Sequence, residues 1–197
     1  MKTFRRLYDW VLSWAATPYG VPALGVLAFA EASFFPVPPD VLLMALALAM
    51  PKKSYRFALV ATIGSIAGGA LGYTIGWGLW DTVGPYFYQY VPGVTVEGFD
   101  QVGGLFDLYD FWIIFAAGFT PIPYKIFTIA AGVFSVNFPV FMVASLVGRS
   151  LRFFLVAMLF YYFGKPARSF IEKYFNLLSI ILLIVMIAVI LLLKLYS

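Results

Sequence analysis

The sequence predicts an all-α integral membrane protein, built as an inverted repeat in which a re-entrant helical hairpin is followed by a transmembrane helix. Of its 197 residues, 63% are hydrophobic and 11% are charged, whereas a soluble domain carries roughly 25% charged residues. Two apolar stretches are broken by similar segments 85 positions apart, Pro36-Val-Pro-Pro-Asp40 and Pro121-Ile-Pro-Tyr-Lys125. Basic and acidic clusters also alternate along the chain, as expected where the chain crosses a membrane repeatedly.

Composition narrows the possible functions. The chain contains no cysteine, which excludes disulfides and thiolate metal sites, and no histidine, the commonest metal ligand and general base. We therefore predict no metal, no cofactor and no enzymatic activity. The net charge is +4, but the basic residues stand in short clusters beside apolar runs. This pattern is typical of a membrane surface rather than of nucleic-acid binding.

The N-terminal part is predicted to lie on the membrane and then dip into it. Residues 1–20 are predicted to form an amphipathic interfacial helix, although simple positive flanking of the next segment is an equal alternative. Residues 22–50 would make one helix about 43 Å long, against a hydrocarbon core of about 30 Å. Because Pro36, Pro38 and Pro39 cannot lie in an intact helix, this segment is predicted to be a re-entrant hairpin of two half-helices.

The middle of the chain is predicted to cross the membrane once and then repeat the hairpin. Residues 57–80 form a predicted transmembrane helix with glycines at four-residue spacing, a pattern typical of close helix packing. Residues 81–110 hold five acids and no basic residue, and are predicted to form an acidic extracytoplasmic loop. Residues 111–134 are predicted as a second re-entrant hairpin, broken at Pro121 and Pro123.

Residues 138–163 and 174–195 are predicted as two further transmembrane helices. If both hairpins are re-entrant, the N-terminus and the basic segments 52–56 and 164–173 share one side, and the acidic stretch lies on the other. The positive-inside rule then places the N-terminus and the basic segments in the cytoplasm. The two hairpins would enter from opposite faces, the architecture in which transporter sites form near the midplane.

Five charged residues lie within apolar segments and are the predicted site. At the bilayer centre each costs at least ~2.5–3.5 kcal/mol, so they should be paired or should line a hydrated cavity. We predict that they bind substrate or protons; they are Glu31, Asp40, Lys125, Arg149 and Arg152.

Each of these charges also has a structural alternative. Asp40 begins a half-helix, where it could simply cap free N–H groups, whereas Glu31 has no such reason to be there and could take up a proton or bind an ammonium group. Lys125 is electrostatically misplaced at a helix N-terminus, which indicates an anionic partner, either an internal acid or a substrate phosphate. Arg149 and Arg152 share one helix face. They could bind a phosphate or neutralise the two acids.

At these residues the sequence resembles the DedA family of integral membrane proteins, whose domain is also called VTT or SNARE-associated. The resemblance covers roughly Pro22 to Gly164. It rests on Glu31…Phe35-Pro-Val-Pro-Pro-Asp40, Gly68…Gly72-Tyr73…Gly76, Phe119-Thr-Pro-Ile-Pro-Tyr-Lys125…Ala131-Gly132 and Gly148-Arg149. It implies two facing hairpins in a bacterial cytoplasmic (inner) membrane, and transport of lipids between leaflets that depends on the proton motive force. It also implies that Glu31 and Asp40 are essential.

One departure bears on the substrate. Many members carry arginine at the positions of Thr120 and Ile126, whereas here a lysine, Lys125, stands one residue before the second. This looks like the YqaA-type branch of the family, and it argues against undecaprenyl phosphate. Two acids beside cations instead suit a phospholipid with a zwitterionic headgroup, such as phosphatidylethanolamine.

Three functions remain open on the sequence alone. The first is a lipid flippase or scramblase acting through a charged midplane cavity, with protons as a coupling partner. The second is a proton-coupled transporter of small ions, and the third is a membrane enzyme or assembly factor. The sequence does not determine the oligomeric state, and it leaves a homo-oligomer open.

Overall fold

The described part of the chain is helical, with short turns between the helices. The computed structural model describes residues 14, 17–35, 37–90, 96–120 and 122–164. Most of the predicted amphipathic helix at 1–20, and all of the predicted transmembrane helix at 174–195, lie outside the described residues, as do Pro36 and Pro121.

The described residues form six α-helices. A short 3₁₀ turn at Pro51–Lys53 joins the second to the third. The helices are α1 Gly20–Ser33, α2 Asp40–Ala49, α3 Ser54–Tyr90, α4 Val96–Phe119, α5 Tyr124–Val133 and α6 Phe138–Phe163.

The first predicted helix break is present. The backbone N–H groups of Phe34 and Phe35 both donate to the carbonyl of Ala30, which closes the end of α1. Pro39 then precedes α2, whose first turn carries Asp40. A proline is tolerated at the start of a helix, because the backbone N–H that it lacks would have no partner there. The re-entrant path of this hairpin through a membrane stays a prediction.

The second break has the same local cause. The α4 helix ends at Phe119, and α5 begins at Tyr124 directly after Pro123, which is extended, with φ −60° and ψ 98°. The backbone N–H and the hydroxyl of Thr120 both donate to the carbonyl of Ala116, 2.8 Å and 2.7 Å away, which closes the end of α4.

The predicted loop at 81–110 is wrong in its conformation. The α3 helix continues to Tyr90 and α4 begins at Val96, so most of this acidic stretch is helical. Backbone hydrogen bonds do not require apolar side chains, and a helix can leave the hydrocarbon and continue into water. The 37 residues of α3 would measure about 55 Å, well beyond the about 30 Å of a hydrocarbon core. Loss of apolar character at Trp80 therefore does not mark the end of this helix.

The α3 helix is the centre of the packing, with α1, α5 and α6 lying against it. Its small residues bring other backbones very close. A Cβ atom at Gly68 would meet the backbone of Phe29 in α1, and one at Gly76 would meet the backbone of Ile129 in α5. The glycine pattern therefore provides helix contacts, as predicted, with α1 on one half of α3 and α5 on the other.

Three apolar clusters lie in the described part, and the two larger ones are its main cores. The first joins α1 and α2 to α3 and α6 and includes Leu24, Leu43 and Phe153; the second joins α4 and α5 to α6 and includes Ile129 and Phe141. The two cores lie at different levels along α6.

Two of the described helical stretches are long and apolar enough to cross a membrane, Pro51–Trp80 and Phe138–Phe163. They contain the transmembrane helices predicted at 57–80 and 138–163. Their outward faces carry exposed apolar side chains such as Ile63, Trp77 and Val143, which is the surface that lipid would cover.

Candidate functional site

The first buried ion pair joins α1 to α6. Arg149 Nη2 lies 2.7 Å from Glu31 Oε2. Arg149 is 1% exposed and Glu31 is 9% exposed. A buried pair at this distance is a charge-assisted hydrogen bond, and removing one partner would leave the other charge uncompensated.

Three further side chains contact the guanidinium of Arg149. Its Nε donates to the hydroxyl oxygen of Ser65 on α3, 2.7 Å away. Its central carbon lies 4.9 Å from the ring centroid of Tyr124 and 4.6 Å from that of Phe153. Cation–π contacts of this kind are strongest where water is excluded. The hydroxyl of Tyr124 in turn hydrogen-bonds Ser145, which fixes the ring on its cation.

The second ion pair involves both helix breaks. Arg152 Nε and Nη2 each lie 2.9 Å from an oxygen of Asp40, a two-pronged arrangement typical of arginine and carboxylate. The third nitrogen, Nη1, donates to the carbonyl oxygen of Thr120. Asp40 follows the first break and Thr120 begins the second, so one side chain of α6 connects the two breaks.

The two pairs form one electrostatic cluster. The charge of Asp40 acts on Glu31, and the charge of Arg149 acts on Asp40, although each belongs to the other pair. The predicted site residues Glu31, Asp40, Arg149 and Arg152 are thus brought together, and each arginine neutralises an acid. Asp40 binds Arg152 in addition to starting α2, so its alternative role as a helix-terminal acid coexists with pairing.

Lys125 differs from the other cations. It is half-buried in the first turn of α5, and within the described part of the chain its ammonium forms neither an ion pair nor a hydrogen bond. Glu31 is the carboxylate whose charge acts on it. With three cations and two acids, the cluster carries one positive charge in excess, and Lys125 is the cation that is still available.

Sequence reasoning missed several residues of the site. Tyr124, Ser65, Ser145 and Phe153 were not among the predicted site residues. Ser65 had a signal, because Gly64-Ser65 and Gly148-Arg149 occupy matching positions of the repeat at an offset of 84. A buried hydroxyl in an apolar helix is a general signal for such residues, because each buried hydroxyl needs a hydrogen-bond partner.

Another hydroxyl ties the first hairpin to the second. Thr128 on α5 is fully buried, and its Oγ1 lies 2.9 Å from the carbonyl oxygen of Ala32 on α1. Ala32 directly follows Glu31 in the chain, so this bond fixes the level at which α1 and α5 meet. Among the described residues, no group of three His, Cys, Asp or Glu side chains could hold a metal ion.

The fold and the site together define an all-helical membrane protein whose interrupted helices meet around buried ion pairs. The chain belongs to the VTT domain family, that is, the DedA family of membrane proteins, and the domain matches residues 37–162. An uncharacterized protein of Haemophilus influenzae is 37% identical over 177 residues, 88% of each chain. An uncharacterized HI0703 homolog of Histophilus somni is 36% identical over 194 residues, 98% of this chain and 100% of the relative. No solved structure matches the chain.

Proposed function

We propose that this protein moves phospholipids between the leaflets of the bacterial cytoplasmic membrane, as a flippase or scramblase and not as an enzyme. The observation that carries the proposal is the pair of buried arginine–carboxylate bridges where two interrupted helices meet. Charges in a membrane interior are expensive and are most often retained for transport of ions, protons or polar groups. A lipid headgroup is such a polar group.

The proposed path requires both hairpins to be re-entrant, one from each face. The fourth arm, α4, has 24 residues and begins in the acidic stretch, so helix length supports this only for the other three arms: α1 has 14 residues, and α2 and α5 have 10 each. At 1.5 Å per residue they would measure about 21 Å and about 15 Å, short of the about 30 Å needed to cross. The Arg152 contacts to Asp40 and Thr120 support a meeting of the two hairpin tips at one level.

The free groups of the cluster indicate how a headgroup would be held. Lys125 is the available cation and would bind the lipid phosphate. Glu31 contacts Arg149 through Oε2, which leaves Oε1 to accept a hydrogen bond from an ammonium group. Phosphatidylethanolamine carries both groups, so we propose it as the substrate. Protonation of Glu31 would remove the charge that holds Arg149, which would couple transport to the proton motive force.

Orientation and location are part of the proposal. Lys52 and Lys53 lie in the 3₁₀ turn just before α3, and Arg56 lies in its first turn. The acids of residues 81–110 lie toward the far end of α3 and beyond. The positive-inside rule places the basic end in the cytoplasm, with the N-terminus on the same side.

The test is reconstitution of the full chain in liposomes with labelled phosphatidylethanolamine. Glu31→Gln and Lys125→Ala are each expected to slow lipid movement at least tenfold. Glu97→Gln makes the same chemical change as the first variant in the acidic stretch outside the site, and should transport like the wild type. Wild-type rates in both site variants would count decisively against the proposal.

The same liposomes distinguish the competing transport function. A proton-coupled transporter of small ions would use the same buried charges, so mutation alone does not separate the two. Proton flux driven by a cation gradient, with no movement of labelled lipid, would establish the ion transporter and exclude the flippase. Repeating the lipid assay with phosphatidylethanolamine, phosphatidylglycerol and phosphatidylcholine, each with and without a pH gradient, identifies the headgroup and the coupling.

A further inference from the structure

A second polar cluster lies at the basic end of the molecule, away from the ion pairs. Three tyrosines from α3 and α6 meet there. The rings of Tyr55 and Tyr161 are 5.1 Å apart, and those of Tyr161 and Tyr162 are 5.2 Å apart at right angles. All three remain exposed, by 36%, 42% and 69%.

Three cations accompany these rings. Lys52, Lys53 and Arg56 are exposed and lie within one turn of Tyr55 in the chain. The 3₁₀ turn that carries the two lysines packs against α6, whose last turn contains Tyr161 and Tyr162.

Carboxylates of the described helices lie elsewhere. Glu31 and Asp40 are paired with arginines, and the next acid, Asp81, is about seven helical turns along α3 from Tyr55. Among the residues that the structure describes, no acid therefore neutralises the positive charge of this surface.

The position of this surface indicates its ligand. One to two helical turns farther from the basic end, Leu59, Leu155 and Met158 are exposed by 50%, 37% and 39%. Those side chains belong to the apolar surface that lipid tails cover. The tyrosines and cations thus lie at the boundary between tails and water, where tyrosine is enriched and where basic residues attract anionic headgroups.

We propose that the Tyr55–Tyr161–Tyr162 cluster, with Lys52, Lys53 and Arg56, binds the headgroup of an anionic phospholipid in the adjacent leaflet. The cations attract the phosphate and the exposed hydroxyls donate hydrogen bonds to its oxygens. This site differs from the proposed transport site in place and in ligand charge, and it does not depend on transport. Bound lipid would hold the start of α3 and the end of α6 at the level of the headgroups.

The test measures lipid binding to the purified full chain in a neutral detergent, by native mass spectrometry with phosphatidylglycerol and phosphatidylcholine. Wild-type protein should bind phosphatidylglycerol preferentially. Lys52→Gln with Lys53→Gln should weaken that binding about fivefold for each charge removed, hence about 25-fold. Tyr161→Phe with Tyr162→Phe keeps the rings, removes two donors and should weaken it about fivefold. The same double change at Tyr88 and Tyr90, toward the opposite end of α3, should have no effect.

Three outcomes would overturn the site. They are equal binding of the two lipids by the wild type, wild-type affinity in both the lysine and the tyrosine variants, and displacement of the lipid by millimolar inorganic phosphate. The last would show that phosphate alone is bound. Because the readout is binding, a failure here leaves the transport proposal intact, and a failed transport assay leaves this site intact.

Discussion

Arg149 and Arg152 are three residues apart on one helix, yet their surroundings differ. Arg149 is enclosed by Glu31, Ser65 and two aromatic rings. Arg152 bonds both oxygens of Asp40 and the carbonyl at the second break. Arg149 therefore links α6 to α1 and α3, whereas Arg152 links α6 to both helix breaks. A substrate that competes for Arg152 would loosen both breaks at once.

The Asp40–Arg152 pair provides a stability test at the residue scale. Asp40→Asn leaves the Arg152 guanidinium, whose side chain is only 14% exposed, without its counter-charge and should lower the free energy of unfolding by about 3 kcal/mol. Replacing both partners, with Asp40→Leu and Arg152→Met, should cost much less, because no charge remains buried. Unfolding in mixed detergent micelles measures both changes. A double variant as unstable as the single one would show that the pair does more than balance charge.

At the scale of the elements, glycine contacts determine how closely α1 and α5 approach α3. A Cβ atom at Gly68 would lie 2.7 Å from the carbonyl carbon of Phe29 and 2.8 Å from its Cα atom. These are backbone atoms and cannot turn aside as a flexible side chain would. Around Gly78, ten residues further along the same helix, the space is open.

Gly68→Ala is therefore expected to lower the free energy of unfolding by about 1–3 kcal/mol, the usual cost of overpacking. Gly78→Ala is the matched control, and it should stabilise the protein by up to about 1 kcal/mol because alanine favours a helix over glycine. The measurement is the free energy of unfolding of the two variants in the same micelles. If Gly68→Ala were as stable as Gly78→Ala, the close approach of α1 to α3 would be contradicted.

At the scale of the whole molecule, the open prediction is the path of the hairpins through the membrane. The chain has no cysteine, so a single introduced cysteine reports its own side without background. If the first hairpin is re-entrant, cysteines replacing Thr3 and Lys53 should react with an impermeant maleimide from the same, cytoplasmic side. If the second is re-entrant, those replacing Gly104 and Ser135 should react from the opposite side.

Labelling in intact cells and in inverted membrane vesicles separates these outcomes. Reaction of positions 3 and 53 from opposite sides would mean that residues 22–50 cross completely, and the inverted repeat would then be lost. Gly104 suits the second pair because it is exposed and the space around it is open.

The sequence by itself determined the helical membrane class, both helix breaks and the set of buried charges. These follow from chemistry that acts locally: proline removes a backbone donor, and a charge in an apolar segment needs a partner. The sequence did not predict that α3 extends to Tyr90, because a helix can continue beyond the end of its apolar segment.

Only the tertiary structure decided which acid pairs with which arginine. Glu31 and Arg149 are separated by 118 positions, and no local pattern connects them. The tertiary structure also showed that Lys125, unlike Arg149 and Arg152, is not paired with an acid among the described residues. It showed as well that Ser65 and Tyr124 contact the guanidinium of Arg149. Such partnerships depend on the level at which packed helices meet, and here that level is set by the close approach of backbones along α3.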